Sequence, residues 1–131
     1  MQRIVIVGPT GAGKTSLAEQ LVDRRHLPAV DLDVLFWGPN WQPVGKACFR
    51  ARVDGVTAQE RWIVGGNYSV ARDLIWPRAD TFLWLLRSHP RQRREYPRLL
   101  AQPEHRHLQV LRFSGPRAVQ RWVEEAEPDV R

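Results

Sequence analysis

Ile4-Val5-Ile6-Val7-Gly8-Pro9-Thr10-Gly11-Ala12-Gly13-Lys14-Thr15 is the stretch that decides how this chain folds. Ile4 to Val7 is a continuous β-branched run ended by Gly8, as expected of a strand buried on both faces of a parallel sheet. From Lys14 to about Arg25 the apolar Leu17, Leu21 and Val22 fall on one face of a helical period, and Pro28 marks the exit. Between strand and helix, Gly8 to Thr15 matches G-x-x-x-x-G-K-[ST]. Its glycines let successive backbone N–H groups curl around phosphate oxygens, and the helix amino terminus adds the positive end of its dipole. Lys14 is placed to reach the terminal phosphates and Thr15 to ligate magnesium. Gly8, Thr10, Gly11, Ala12, Gly13, Lys14, Thr15 and Ser16 are therefore expected to bind ATP with Mg2+. GTP is disfavoured, because no Asn-Lys-x-Asp guanine-reading motif occurs in the chain.

The same alternation continues outward. Pro28 to Leu32 reads as a second strand, Trp37 to Pro43 as a loop, and residues from about Lys46 to Gln59 as a helix with Phe49, Val53 and Val56 at helical spacing. Trp62-Ile63-Val64 reads as a third strand closed by Gly65-Gly66-Asn67, Thr81 to Leu86 as a fourth and Leu108 to Phe113 as a fifth. Helices are expected from Arg91 to about Gln102 and from Gly115-Pro116 to about Glu125. Strands alternating with helices imply right-handed crossovers and an α/β fold of three layers, a five-stranded parallel sheet flanked by helices. Ligands then bind at the carboxyl ends of the strands.

At 131 residues one domain and one site are expected. The formal charge of +6 rests almost wholly on arginine, which suits nucleotides, nucleic acid or anionic lipid as partners and suits a plain solvated surface equally. Nucleic acid has no support beyond that charge. A single cysteine, Cys48, excludes a disulfide framework and reads as a small buried hydrophobe. No stretch reaches the apolar length that spans a bilayer, and the apolar run after Met1 is too short for a signal-peptide core, so a cytoplasmic location without membrane contact is expected. His26, His89, His105 and His107 have no metal-ligand spacing.

Asp31 and Asp33 close the second strand and alternate in direction along an extended chain, so one of them faces the phosphates. A carboxylate there holds hydrated magnesium, which suits Asp31, or accepts the proton of an acceptor hydroxyl, which suits Asp33. Each is also a common turn or cap residue. Trp37 and Trp41 flank a Pro-Asn turn, able to wall a base or sugar, although such residues more often pack a loop onto the core. Gly66-Asn67-Tyr68 follows the third strand, where glycine permits close approach to an acceptor and Asn67 or Tyr68 can hydrogen-bond it. Arg87, Arg91, Arg93, Arg94 and Arg98 cluster beyond the fourth strand. Arg91 and Arg94 are the candidates to neutralise a transferring phosphoryl group.

These blocks together resemble the bacterial adenylate-kinase-related P-loop family labelled topology modulation proteins. The resemblance is carried by Gly8 to Ala18, Asp31-Leu32-Asp33, Leu35-Phe36-Trp37, Pro39-Asn40-Trp41, Trp62 to Tyr68, Arg72-Asp73, Trp76 and Arg78-Ala79-Asp80, and by Arg93 to Pro97 and His107 to Val110. It implies a nucleoside-monophosphate-kinase-like P-loop NTPase core that binds ATP and Mg2+, with Asp33 and Gly66-Asn67-Tyr68 around the acceptor. The chain departs from related kinases at two places. Leu85 to Pro90 passes almost directly into the next helix where a longer arginine-bearing lid is usual, which implies slow turnover or ATPase leakage. Gly65 stands where adenylate kinases place an aspartate, which leaves magnesium to Thr15 with Asp31 or Asp33.

Overall fold

A computed structural model of the chain describes residues 1–8, 13–85 and 90–125, the side chains of residues 90–92 excepted. Five strands, β1 (Arg3–Val7), β2 (Ala29–Asp31), β3 (Trp62–Gly65), β4 (Thr81–Leu85) and β5 (Gln109–Phe113), form one sheet in the order β2-β3-β1-β4-β5. All four pairings are parallel. The chain starts at the centre, steps out to β2, returns through β3 to flank β1, then crosses to β4. Connections therefore diverge from the carboxyl end of β1, the crevice where open α/β sheets bind ligands.

The uninterrupted apolar run of β1 is explained by burial on both faces: Ile4, Val5, Ile6 and Val7 are each 1% exposed or less. Ile4 and Ile6 point to a cluster with Leu17 and Leu21 of α1 (Lys14–Arg25) and Val119 and Val123 of α6 (Pro116–Glu125). Val5 and Val7 point oppositely, into a cluster with Phe49 and Val53 of α3 (Lys46–Thr57), Ile75 of α4 (Arg72–Ile75) and Tyr96 of α5 (Pro90–Leu100). The period-2 alternation of one strand thus joins the two helical layers, each buried side chain contributing about 1.5–3 kcal/mol.

Two short helices were not expected. The second strand ends at Asp31, and α2 (Leu32–Phe36) begins at once, because the Asp31 carboxylate accepts the Asp33 N–H at 2.9 Å and caps the helix while Leu32 is buried. The expected alternation of Asp31 and Asp33 along an extended chain is thereby corrected: Asp33 lies in the first turn of a helix. A 3-10 turn at Ser69–Ala71 and the four-residue α4 follow the third strand in the same way. Cys48 is exposed on α3, which corrects the expectation of a buried residue. Residues 86–89, on which the shortened-lid expectation and Arg87 fall, lie outside the described residues.

The amino edge of the sheet is held by Asp80. Its carboxylate accepts the N–H groups of Gln2 and Arg3, each at 2.9 Å, and the Thr81 hydroxyl at 2.7 Å. Arg78 pairs with Asp54 at 2.8 Å and donates to Thr57 Oγ1 at 2.9 Å, fastening α3 beneath the same edge. The Arg78-Ala79-Asp80 block is accordingly architectural. Asp80→Ala is expected to cost about 2–3 kcal/mol, since hydrogen bonds to an ionised group are lost and two half-buried amides are orphaned. Urea denaturation would register this as a lower midpoint at unchanged slope.

Candidate active site

At the carboxyl end of β1 the chain leaves the sheet through Gly8. A Cβ there would stand 2.8 Å from Leu85 Cβ, so the phosphate loop can start this close to β4 only without a side chain. Gly8→Ala is expected to cost about 1–3 kcal/mol by overpacking, read as a lower thermal midpoint, and to displace the loop. Gly13 caps α1 at φ 93° and its carbonyl accepts the Leu17 N–H at 2.9 Å, a left-handed conformation that suits glycine. Thr10, Gly11 and Ala12 fall outside the described residues.

Lys14 and Thr15 open α1 and face a cavity of about 450 Å³ that also takes in Asp31, Gly65, Val30 and Ile63. Lys14, Thr15 and Asp31 belong to element ends at the carboxyl edge of the sheet, Glu19 and Asp23 line the same cavity farther along α1, and Val30 and Ile63 form an apolar wall. Asp31 has one oxygen engaged in capping α2 and is exposed. A Cβ built on Gly65 meets nothing within 4 Å, so the residue leaves space open. Ser16 faces a separate crevice of about 170 Å³ between α1 and α6, with Gly13, Gln20, Pro116 and Gln120.

Asp33 lines a second crevice, of about 390 Å³, with Val34, Trp37, Gly38, Asn40 and Trp41. Trp41 is 81% exposed and Trp37 39%, so the expectation that such residues pack their loop onto the core fails at Trp41. Asn40 and Trp41 both hold φ near +57°, conformations that cost of order 1 kcal/mol each for residues with a Cβ. The Tyr68 hydroxyl donates to Asp33 Oδ1. Burial raises the Tyr68 pKa, and the hydrogen bond to Asp33 and the charges of Asp33 and Asp31 raise it further, so the phenol remains a donor. Its ring is fixed between Phe36 and Phe49, at centroid distances of 5.0 and 5.1 Å.

The turn that delivers Tyr68 depends on Gly66. At φ 121° its N–H reaches back to Ile6 O at 3.0 Å, and an added Cβ would stand 3.3 Å from Leu32 Cβ. Asn67 Oδ1 accepts a long 3.4 Å contact from Arg72 Nη2. Arg72 was not among the expected site residues. Its guanidinium lies 5.0 Å over the Trp76 ring and 6.0 Å over the Tyr96 ring. Arg94 is exposed on α5, and the Arg91 side chain lies outside those described. His105 Nδ1 lies 2.6 Å from Leu99 O and His107 Nε2 3.3 Å from Trp76 O, both at backbone carbonyls. Among the described residues no three metal-binding side chains cluster. No described helix is long and apolar enough to cross a membrane.

No protein-family model matches the chain, and no curated protein matches its sequence. Solved structures do match its fold. The shikimate kinase of Aquifex aeolicus superposes with a TM-score of 0.56 at 13% identity, over 94% of this chain and 92% of that one. The fold is that of the P-loop kinases. An unliganded sugar kinase from a Janibacter species matches with a TM-score of 0.54 at 17% identity, over 95% of this chain and 93% of that one. The shikimate kinase of Acinetobacter baumannii, in complex with shikimate, also gives 0.54 at 17%, over 95% and 90%. At these identities the likeness carries the three-layer architecture alone, and the function has to be argued from the site.

Proposed function

We propose that this chain is an ATP-dependent phosphotransferase that passes the γ-phosphoryl group to a hydroxyl of a small acceptor, a nucleoside monophosphate or another small molecule. One observation carries the reading: Lys14 and Thr15 at the start of α1, and an Asp33 carboxylate oriented by Tyr68, stand at the same carboxyl edge of one parallel sheet. The fold neighbours, two shikimate kinases and a sugar kinase, are proteins of this reaction class, and the sequence blocks resemble adenylate-kinase-related proteins.

The residues present fit a nucleotide and its metal. Gly8 supplies a close approach to β4 and Gly13 a left-handed turn into α1, and Lys14, Thr15 and Asp31 share one cavity with space beside Gly65. In the proposed reaction the acceptor hydroxyl oxygen bonds to the γ-phosphorus, the bond to the β–γ bridging oxygen breaks, and ADP leaves with that electron pair. Asp33 accepts the hydroxyl proton and releases it to solvent, and Tyr68 keeps the carboxylate aimed. Lys14 offsets charge on the terminal phosphates. Magnesium held by Thr15 and the free oxygen of Asp31 would add charge neutralisation there. Trp37 walls the acceptor, Asn67 offers it hydrogen bonds, and Arg91 and Arg94 remain proposed cations. Incubation with labelled ATP and a panel of nucleoside monophosphates, sugars and hydroxy acids tests the reading. If no acceptor is labelled and Lys14→Ala changes nothing, the reading fails.

Gly65 favours a second reading. It brings no carboxylate to the cavity where a metal-holding side chain has room, as suits a nucleotide-binding protein with little transfer. That reading predicts ATP affinity in titration without product.

A further inference from the structure

Among the described residues three large apolar side chains stand exposed, Val34 at 70%, Trp37 at 39% and Trp41 at 81%. They are not scattered. All three line the crevice of about 390 Å³ that holds Asp33, together with Gly38 and Asn40. Single exposed apolar residues are ordinary, whereas three gathered on one concavity of small-molecule size mark a surface that a ligand covers. The loop that presents Trp41 is tightly built. Trp37 bridges Pro43 in antiparallel fashion, the Gly38 N–H donates to Gln42 O at 2.7 Å, and the Val44 N–H donates to Phe36 O at 3.0 Å. A Cβ on Gly38 would stand 2.9 Å from Val44 Cγ1, and Trp37 meets Phe36 edge to face with centroids 5.0 Å apart. A platform fixed in this way loses little freedom when a ligand lands on it.

Charge decides what that ligand is. Of the described residues on the crevice, Asp33 is anionic and none is cationic. A phosphate or carboxylate seated there would set two like charges together without a counter-ion. A phosphate monoester is also mostly dianionic at pH 7 and brings no proton for Asp33 to accept. A neutral alcohol avoids the repulsion and supplies the proton. The Tyr68 phenol occupies Asp33 Oδ1, which leaves Oδ2 for that hydroxyl. The aromatic walls select further. An indole face carries the negative side of a quadrupole, so the C–H face of a saturated ring lies on it favourably, while ring hydroxyls at the rim reach Asp33 and the Asn40 amide, which both donates and accepts.

We infer that the phosphate acceptor is an uncharged cyclic polyol, a sugar or sugar-like ring, stacked on Trp41 and Trp37 with one hydroxyl on Asp33. The inference rests on the phosphotransferase reading and narrows it, because it selects one acceptor class and sets aside nucleoside monophosphates and hydroxy acids. Trp41 and Asn40 hold left-handed backbone conformations in that loop, and the stacked ring gives Trp41 the contact that the fold leaves open.

The test reads the Trp41 indole N–H resonance of the full chain by NMR, assigned by its loss in Trp41→Phe, in the presence of saturating ADP and magnesium. Ribose, glucose and inositol are the polyol probes, with adenosine monophosphate, lactate and adenine as the charged and flat-ring alternatives. The expected result is a saturable shift with at least one polyol, weakened about tenfold in Trp37→Ala, the loss of one stacking face. In label transfer, Trp41→Ala is expected to raise the KM for that polyol about tenfold with kcat within about twofold, since stacking binds ground and transition states alike. A resonance that no polyol moves overturns the inference, as does tighter binding of adenosine monophosphate, lactate or adenine, or an unchanged KM in Trp41→Ala. A polyol that moves the resonance while no acceptor takes label leaves the ligand class standing and removes the phosphotransferase reading.

Discussion

Asp33→Asn is expected to lower phosphoryl transfer by about 10²–10⁴-fold, the usual contribution of a positioned proton acceptor, while leaving ATP affinity within about twofold. The substitution keeps the size and the hydrogen-bond geometry of the side chain and removes only its capacity to take a proton. Asp33 lines a crevice other than the cavity of Lys14 and Thr15, so a neutral side chain of the same size there leaves the nucleotide contacts in place. Tyr68→Phe isolates positioning, because the Asp33 carboxylate survives and loses only the phenol that orients it. A loss of about tenfold is expected there. Since burial and the Asp33 hydrogen bond raise the Tyr68 pKa, its proton stays in place through the ordinary tyrosine range near pH 10. The wild-type pH–rate profile should therefore show no limb from Tyr68 below that pH. Stopped-assay rates across pH with ATP saturating would measure both effects.

Lys14→Ala is expected to weaken ATP binding about 10–100-fold and to lower transfer by about a further 10²-fold. The first figure follows from losing one charge-assisted contact of about 1.5–3 kcal/mol. The second follows because the ammonium neutralises charge that grows in the transition state. Isothermal titration with ADP and ATP separates the two, since a terminal-phosphate contact affects ATP more than ADP. A variant with equal ADP and ATP affinity, both at wild-type values, would place Lys14 outside the phosphate site.

The central architecture was legible because its signals are local. The β-branched run at Ile4 to Val7 marks a doubly buried strand, and α1 runs from Lys14 to Arg25 as its period requires. The five strands fall where apolar runs and turn residues place them, within one or two residues at each end. What was not legible depends on tertiary meetings or on very short elements. Five residues of α2 are too few for a period, and only the Asp31 cap distinguishes them from a strand end. Arg72 looks in sequence like any solvated arginine. Its stacking on Trp76 and Tyr96 arises only when α4 and α5 meet above β4, contacts of long sequence separation. Cys48 could have been placed correctly, since it immediately precedes Phe49 and so falls off the buried stripe of Phe49 and Val53 on α3.

The exposed Trp41 marks a departure from ordinary packing, and it lines the crevice that holds Asp33. Local conflicts of that kind are expected at functional sites rather than at random. By contrast, Asp80 and Arg78, which are equally conspicuous in sequence, are fully accounted for by the hydrogen bonds that fasten the opposite edge of the sheet.

Transfer of the labelled γ-phosphate of ATP, run side by side with wild type and Asp33→Asn against the panel of nucleoside monophosphates, sugars and hydroxy acids, tests the central claim most directly. The account predicts a labelled acceptor with wild type and its loss with Asp33→Asn, at unchanged ATP affinity. Label in no acceptor, or transfer by Asp33→Asn at the wild-type rate, would contradict it.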